Sequence, residues 1–129
     1  MNEPRRPPLT TASFDPSTLV ESIRARHGIA LPLARIAEIC RRRGIRALAL
    51  FGSILRDDFR RESDVDLLVD YEPASRPRSF AEEFAVRDEF EALLGRKGDV
   101  VEREAVEQSP NYIRRRHILS TAEPIYVEG

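Results

Sequence analysis

The chain has 129 residues, 41% hydrophobic and 33% charged, with 21 basic and 22 acidic side chains and a formal net charge of −1. That length suits one domain, in which roughly two thirds of the unfolded surface can be buried, and the near-zero balance excludes a bulk electrostatic drive toward nucleic acid or membrane. The single cysteine, Cys40, excludes an internal disulfide, no apolar run approaches the ~20 residues of a membrane span, and the N-terminus lacks a signal-peptide core, so the expected location is the cytoplasm.

Residues 1–14 carry three prolines, two arginines and few large apolar groups, a composition that predicts a disordered tail. Asp15-Pro16-Ser17 is a helix-start pattern, with Asp15 as N-cap and Pro16 at the first helical position, and predicts a helix to about Arg26 that Gly28 ends. Leu31-Pro32 opens a second helix through Arg43. Leu33, Ile36, Ala37 and Cys40 share one face of it, and Arg41, Arg42 and Arg43 sit where a helix C-terminus favours cations. The run at 46–51 reads as a buried strand, broken by Gly52-Ser53. A short helix is expected at 54–60, a turn at 61–63, a second strand at 64–71 and a loop at 73–77.

Ser79 can cap a long helix at 80–94. Its Phe80, Phe84, Val86, Phe90, Leu93 and Leu94 cover about half the circumference, which predicts that they lie against a sheet. A turn at 95–98 leads into a third strand at 99–103. A last helix is expected at 110–121 and an edge strand at 125–127. This order predicts an α/β (α+β) fold, with a small mixed sheet flanked by helices.

Candidate chemistry gathers between Leu48 and Asp70, LALFGSILRDDFRRESDVDLLVD. Side chains alternate along a strand, so Asp64 and Asp66 share a face, with Cα atoms about 6–7 Å apart. Val65, Leu67 and Val69 point the other way, into a core. Two carboxylates on one face suit Mg²⁺, which completes its shell with waters and phosphate oxygens. Gly52 lets backbone approach a phosphate, the following helix offers free N–H groups, and the Ser53 hydroxyl adds a donor. A third carboxylate would complete a two-metal site. Asp99, opening the third strand, is the candidate, although the sequence leaves its face open. Beside the second strand it can also serve as general base for an acceptor hydroxyl. The pattern G-S-x10-D-x-D arises by chance on the order of once in 500 to 1,000 chains of this length, so chance alone is a poor account of it.

Blander readings are preferred elsewhere. Asp57, Asp58 and Asp70 read as surface charges, and the runs Arg41 to Arg43 and Arg114 to Arg116 as solvated helix faces. Arg56 reads as a phosphate contact or as the partner of a nearby carboxylate. His27 and His117 lack a second ligand at metal spacing. Cys40 and the phenylalanines of the long helix read as core.

The segment LFGSILRDDFRRESDVDLLVDYEP resembles the minimal nucleotidyltransferase (MNT) domain of the polymerase-beta-like superfamily. GRKGDVVERE resembles the segment carrying that family's third acidic residue, and NYIRRRHILSTAEPIYVEG its final helix and strand. The resemblance covers about residues 31–128, with the helix at 15–27 outside it, and makes 15–129 the expected domain. It implies the nucleotidyltransferase fold, ATP as substrate and Mg²⁺ as cofactor. It also implies metal binding by Asp64, Asp66 and Asp99 and phosphate binding by Gly52 and Ser53. Gly98 departs from the branched apolar residue more usual before the third Asp. Many family members are antitoxins paired with a HEPN-type ribonuclease toxin, and the implied activity is AMP transfer to a toxin tyrosine.

Three functions compete. The first is that protein-modifying enzyme. The second is a nucleotidyltransferase acting on a small molecule such as an antibiotic, with an acceptor pocket supplied by a homo-oligomer. The third is a non-enzymatic module that blocks a toxin by covering it. No direct nucleic-acid or membrane partner is expected, because the net charge gives no grip on a phosphate backbone.

Overall fold

The computed structural model describes residues 15–128. The expected tail at 1–14 lies outside the described residues. In chain order the elements are α1 (Ser17–His27), α2 (Leu33–Arg43), β1 (Ile45–Phe51), a 3₁₀ turn (Gly52–Leu55), β2 (Val65–Tyr71), a 3₁₀ turn (Pro73–Ser75), α3 (Phe80–Leu94), β3 (Gly98–Glu102), α4 (Arg103–Glu107), α5 (Tyr112–Thr121) and β4 (Glu123–Val127).

The strands form one mixed sheet in the order β3-β2-β1-β4, with β1 antiparallel to β2 and β4, and β3 parallel to β2. β2 is buried on both faces, as its near-continuous apolar sequence requires. One face presents Val65, Leu67 and Val69, which pack with residues of α1, α2 and α3 such as Ile23, Ile36, Cys40 and Phe90. Full burial of such side chains contributes about 1.5–3 kcal/mol each. The other face presents Leu68, packed with Phe51 of β1, Val106 of α4 and Ile118 of α5. The architecture is therefore three layers, with α1 to α3 on one side of the sheet and the shorter α4 and α5 on the other.

Helix ends follow local chemistry. The Asp15 carboxylate accepts from the Ser17 N–H at 3.0 Å. The Ser79 hydroxyl accepts from the Glu82 N–H at 3.2 Å, and Asn111 caps α5 through the Arg114 N–H at 3.1 Å.

Four expectations need correction. The helix expected at 54–60 is the single 3₁₀ turn Gly52–Leu55. It closes with the Arg56 N–H on the Ser53 carbonyl at 2.8 Å, after which Arg56 is extended. The strand expected from Asp64 begins at Val65, and the one expected at 99–103 runs Gly98–Glu102, because Arg103 opens α4. Phe80 and Phe84 are not core: they are 76% and 49% exposed. The inward face of α3 is Val86 and Phe90, with Leu93 and Leu94 beside them, so its first two turns overhang the sheet. Phe84 stacks instead on Phe80 and lies under the Arg87 guanidinium at 4.6 Å.

Candidate active site

The sheet register assembles the site. Phe51 pairs with Asp66 across β1 and β2, and Asp66 pairs with Asp99 across β2 and β3. Register partners share a face and sit about 4.8 Å apart between neighbouring strands. The face of Asp99, which the sequence left open, is thus that of Asp66. It is also the face of Leu68, two residues along β2. Leu68 lies under α4 and α5, whereas Asp66 sits beyond their cover at the strand's start and is only partly buried. Asp64 and Asp99 are exposed.

Gly52 follows Phe51 directly, so the turn meets the start of β2. Its φ is +81°, and a Cβ placed there would collide with Asp66 Oδ2 and lie 3.2 Å from Asp66 Cγ. Glycine is required for both reasons: the backbone sits in the left-handed region, and the absent side chain is the space the carboxylate occupies. The element after Gly52 is a four-residue 3₁₀ turn rather than the expected helix, so the turn's own N–H groups and the Ser53 hydroxyl are the donors on offer.

Gly98 departs from the usual apolar residue for a similar reason. A Cβ on it would lie 3.1 Å from the Val65 carbonyl, tighter than ordinary contact, so glycine lets β3 close on β2 at the position before Asp99.

Burial, followed by the charges of Asp99 and Asp64, pushes the Asp66 carboxyl up to about 6, while Arg114 and Arg56 pull it down. Arg56 also holds Asp58, with Nε 3.0 Å from Oδ1. Arg114 was invisible as a site residue in the sequence, where it sat in a run of three arginines. Only the packing of α5 across the sheet brings it near Asp66. The same helix lines a cavity of about 410 Å³ beside the turn, with His117, Ser120 and Thr121 facing Gly52, Leu55 and Arg56.

The donor set is entirely carboxylate oxygen, the chemistry a hard divalent cation takes, and Mg²⁺ needs only one or two protein carboxylates when substrate phosphates complete its shell. Asp66 and Asp99, as register partners, have the chemistry for that role, and Asp64 lies just before the strand. Among the described residues no group of three or more His, Cys, Asp or Glu side chains is placed so that it could hold a metal ion together. No described helix is long and apolar enough to cross a membrane.

Comparison with known proteins places the fold and the family. A protein adenylyltransferase, MntA of Thermococcus cleftensis, is 39% identical over 64 residues, which are 50% of this chain and 62% of that protein. The chain spans about three fifths of the length of the curated relatives it matches. A solved structure described as a candidate minimal nucleotidyltransferase superposes with a TM-score of 0.55 at 30% identity, over 81% of this chain and 94% of that one. A toxin–antitoxin structure with AMP-PNP superposes with a TM-score of 0.57 over 75% of this chain and 74% of that one; at 15% identity the likeness is one of fold. The family model of the nucleotidyltransferase domain matches residues 33–120, and the chain belongs to that family.

Proposed function

We propose that this protein transfers AMP from ATP to a hydroxyl of a partner protein, a tyrosine of a HEPN-type ribonuclease toxin, and so acts as its antitoxin. The observation that carries the reading is the row of Phe51, Asp66 and Asp99 across three adjacent strands, with Gly52 directly after Phe51 and its missing Cβ leaving room for the Asp66 carboxylate. It sets a phosphate-approaching turn against a carboxylate pair. The relative named a protein adenylyltransferase supports the choice of a protein acceptor. So does the likeness to an antitoxin complex that holds an ATP analogue.

In this mechanism the N–H groups of the Gly52–Leu55 turn and the Ser53 hydroxyl hold the outer phosphates. Asp64, Asp66 and Asp99 would hold Mg²⁺, which when bound supplies neutralising charge at the triphosphate. Asp99, exposed at the sheet edge, takes the acceptor's hydroxyl proton. The freed oxygen attacks the α-phosphorus, the bond from that phosphorus to the bridging oxygen breaks, and pyrophosphate leaves. Arg56 and Arg114 provide positive charge near Asp66 as the phosphates enter.

The test is incubation of the protein with α-labelled ATP and Mg²⁺, together with either a co-encoded HEPN protein or a panel of aminoglycosides. Label on a HEPN tyrosine is the expected result. Label on the aminoglycosides alone overturns the reading in favour of a small-molecule transferase.

A further inference from the structure

The two halves of the site, the Gly52–Leu55 turn and the carboxylates from Asp64 onward, are joined by residues 56–63, which contain no helix or strand. Connecting segments of this kind are usually the most mobile parts of a domain. Transfer requires the halves to keep their spacing, since a misplacement of about 1 Å can cost about a hundredfold in rate. Something must therefore hold the loop.

We propose that His27 and Arg96 are positioning residues for the transfer reaction, bracing this loop from opposite sides. The proposal rests on the transferase reading above. Arg96, in the turn between α3 and β3, directs its guanidinium at backbone carbonyls. Nη2 donates to Arg60 O at 2.7 Å and to Arg61 O at 2.5 Å, and Nε donates to Ser63 O at 3.2 Å. Its plane lies 4.6 Å from the centre of the Phe59 ring. The next residue, Lys97, accepts from the Val65 N–H at 3.0 Å. Asp64 is thus bracketed, with the residue before it and the residue after it both bonded to this turn.

From the other side, His27 closes α1. Its Nε2 lies 3.0 Å from the Ile54 carbonyl, an acceptor, so that nitrogen carries the proton. Its ring meets Phe59 at 4.7 Å between centres. Phe59 is therefore shared: the imidazole and the guanidinium both pack on it. The result is a continuous contact from α1, through the loop, to the segment that leads into Asp99.

Neither residue is needed to hold its own element. Ile23 already anchors α1 in the core with no exposure. The turn after α3 is held by the Gly95 N–H on Glu91 O at 2.8 Å and by the Gly98 N–H on the Glu91 carboxylate at 2.8 Å. The family model begins at residue 33, so α1 lies outside the part of the chain it describes. The helix at 17–27 is then part of the catalytic apparatus rather than an appendage.

The test uses the full chain with its acceptor and four variants, each assayed where circular dichroism shows it folded. In His27→Ala and Arg96→Ala, kcat falls about tenfold to a hundredfold while KM for ATP moves less than about threefold. His27→Gln, whose amide nitrogen reaches the place of Nε2, returns kcat to within about threefold of wild type. Arg96→Lys does not, since one ammonium cannot span three carbonyls as the planar fork does. In parallel, hydrogen exchange is read at the Arg56 amide, which is bonded to Ser53 O. It quickens about tenfold or more in both alanine variants, with β1 unchanged. A wild-type kcat in either folded alanine variant overturns the proposal, as does a His27→Gln variant no better than alanine. If the wild-type protein transfers AMP to no acceptor, the transferase reading fails. The exchange rates then judge the brace alone, and unchanged exchange overturns it.

Discussion

Replacing Gly52 by alanine separates the two demands placed on that position. The first cost is backbone strain: at φ +81° a side chain enters the left-handed region, worth roughly 1–2 kcal/mol. The second is local. The new Cβ would occupy the place of Asp66 Oδ2, and with Cγ only 3.2 Å away the carboxylate must rotate out. Leaving its rotamer well costs about 0.5–1.5 kcal/mol. Together these predict a loss of about 1.5–3.5 kcal/mol in urea unfolding. Gly28→Ala and Gly95→Ala act as internal references, since both have φ near +70° with nothing within 4 Å of a new Cβ. They should lose only the strain, about 1–2 kcal/mol. The difference between Gly52→Ala and these references measures the collision with Asp66. Because the displaced group is a candidate ligand, single-turnover AMP transfer by folded Gly52→Ala should fall about a hundredfold. A Gly52→Ala protein that matches the references in stability and the wild type in transfer would refute the claim that this glycine exists to admit the carboxylate.

Asp66→Asn should make the metal-free protein more stable at pH 7.5. The folded pKa of about 6 stands above the unfolded value, so the fold binds this proton more tightly; stability is full below about pH 4, declines as pH rises toward 6, and stays reduced above. Two units correspond to about 2.7 kcal/mol, and solvent screening of this half-exposed group reduces the expected gain to about 1–2 kcal/mol. The wild type should then gain more stability from added Mg²⁺ than the variant does, and a variant with an unchanged stability–pH curve would contradict the cause assigned to the shift. Ile54→Ala, which empties a fully buried site beneath the turn, should cost about 2–5 kcal/mol by urea titration. Phe80→Gln should change stability by less than about 0.5 kcal/mol, because the ring is 76% exposed; a core-sized loss would restore the inward placement read from periodicity.

Much of the site was legible because its signals are local. The Gly-Ser step marked the end of β1, and the apolar alternation after it marked β2, although Asp64 stands one residue before that strand. What the sequence could not carry is non-local. Asp99 joins the pair only through the parallel register of β2 and β3, which no spacing along the chain encodes. Arg114 reaches Asp66 only because α5 crosses the sheet. The misreading of Phe80 and Phe84 has the same origin: periodicity gives the apolar face of a helix but not where the sheet beneath it stops. The helix expected at 54–60 failed for a different reason. Arg56 is extended, and the Ile54 carbonyl, which such a helix would bond to the Asp58 N–H, lies 3.0 Å from His27 Nε2 instead; a carbonyl acceptor leaves no trace in residue type.

These contacts also bear on why the acceptor should be another molecule. The sheet's first face is filled by α1, α2 and α3, and the second is closed by α4 and α5 as far as Leu68. The chain's own packing therefore ends where Asp66 begins, and Asp64 and Asp99 stand exposed at that edge. A small acceptor would have to be held within about half an ångström of its productive position by locked side chains. Beside the turn a cavity of about 410 Å³ is lined by Gly52, Arg56 and residues of α5, while Asp64 and Asp99 themselves stand exposed. A folded partner brings its own rigidity, so its hydroxyl can be aligned by docking the whole surface rather than by a pocket. The exposure of Asp99 suits the proposed acceptor, a hydroxyl carried on a protein surface.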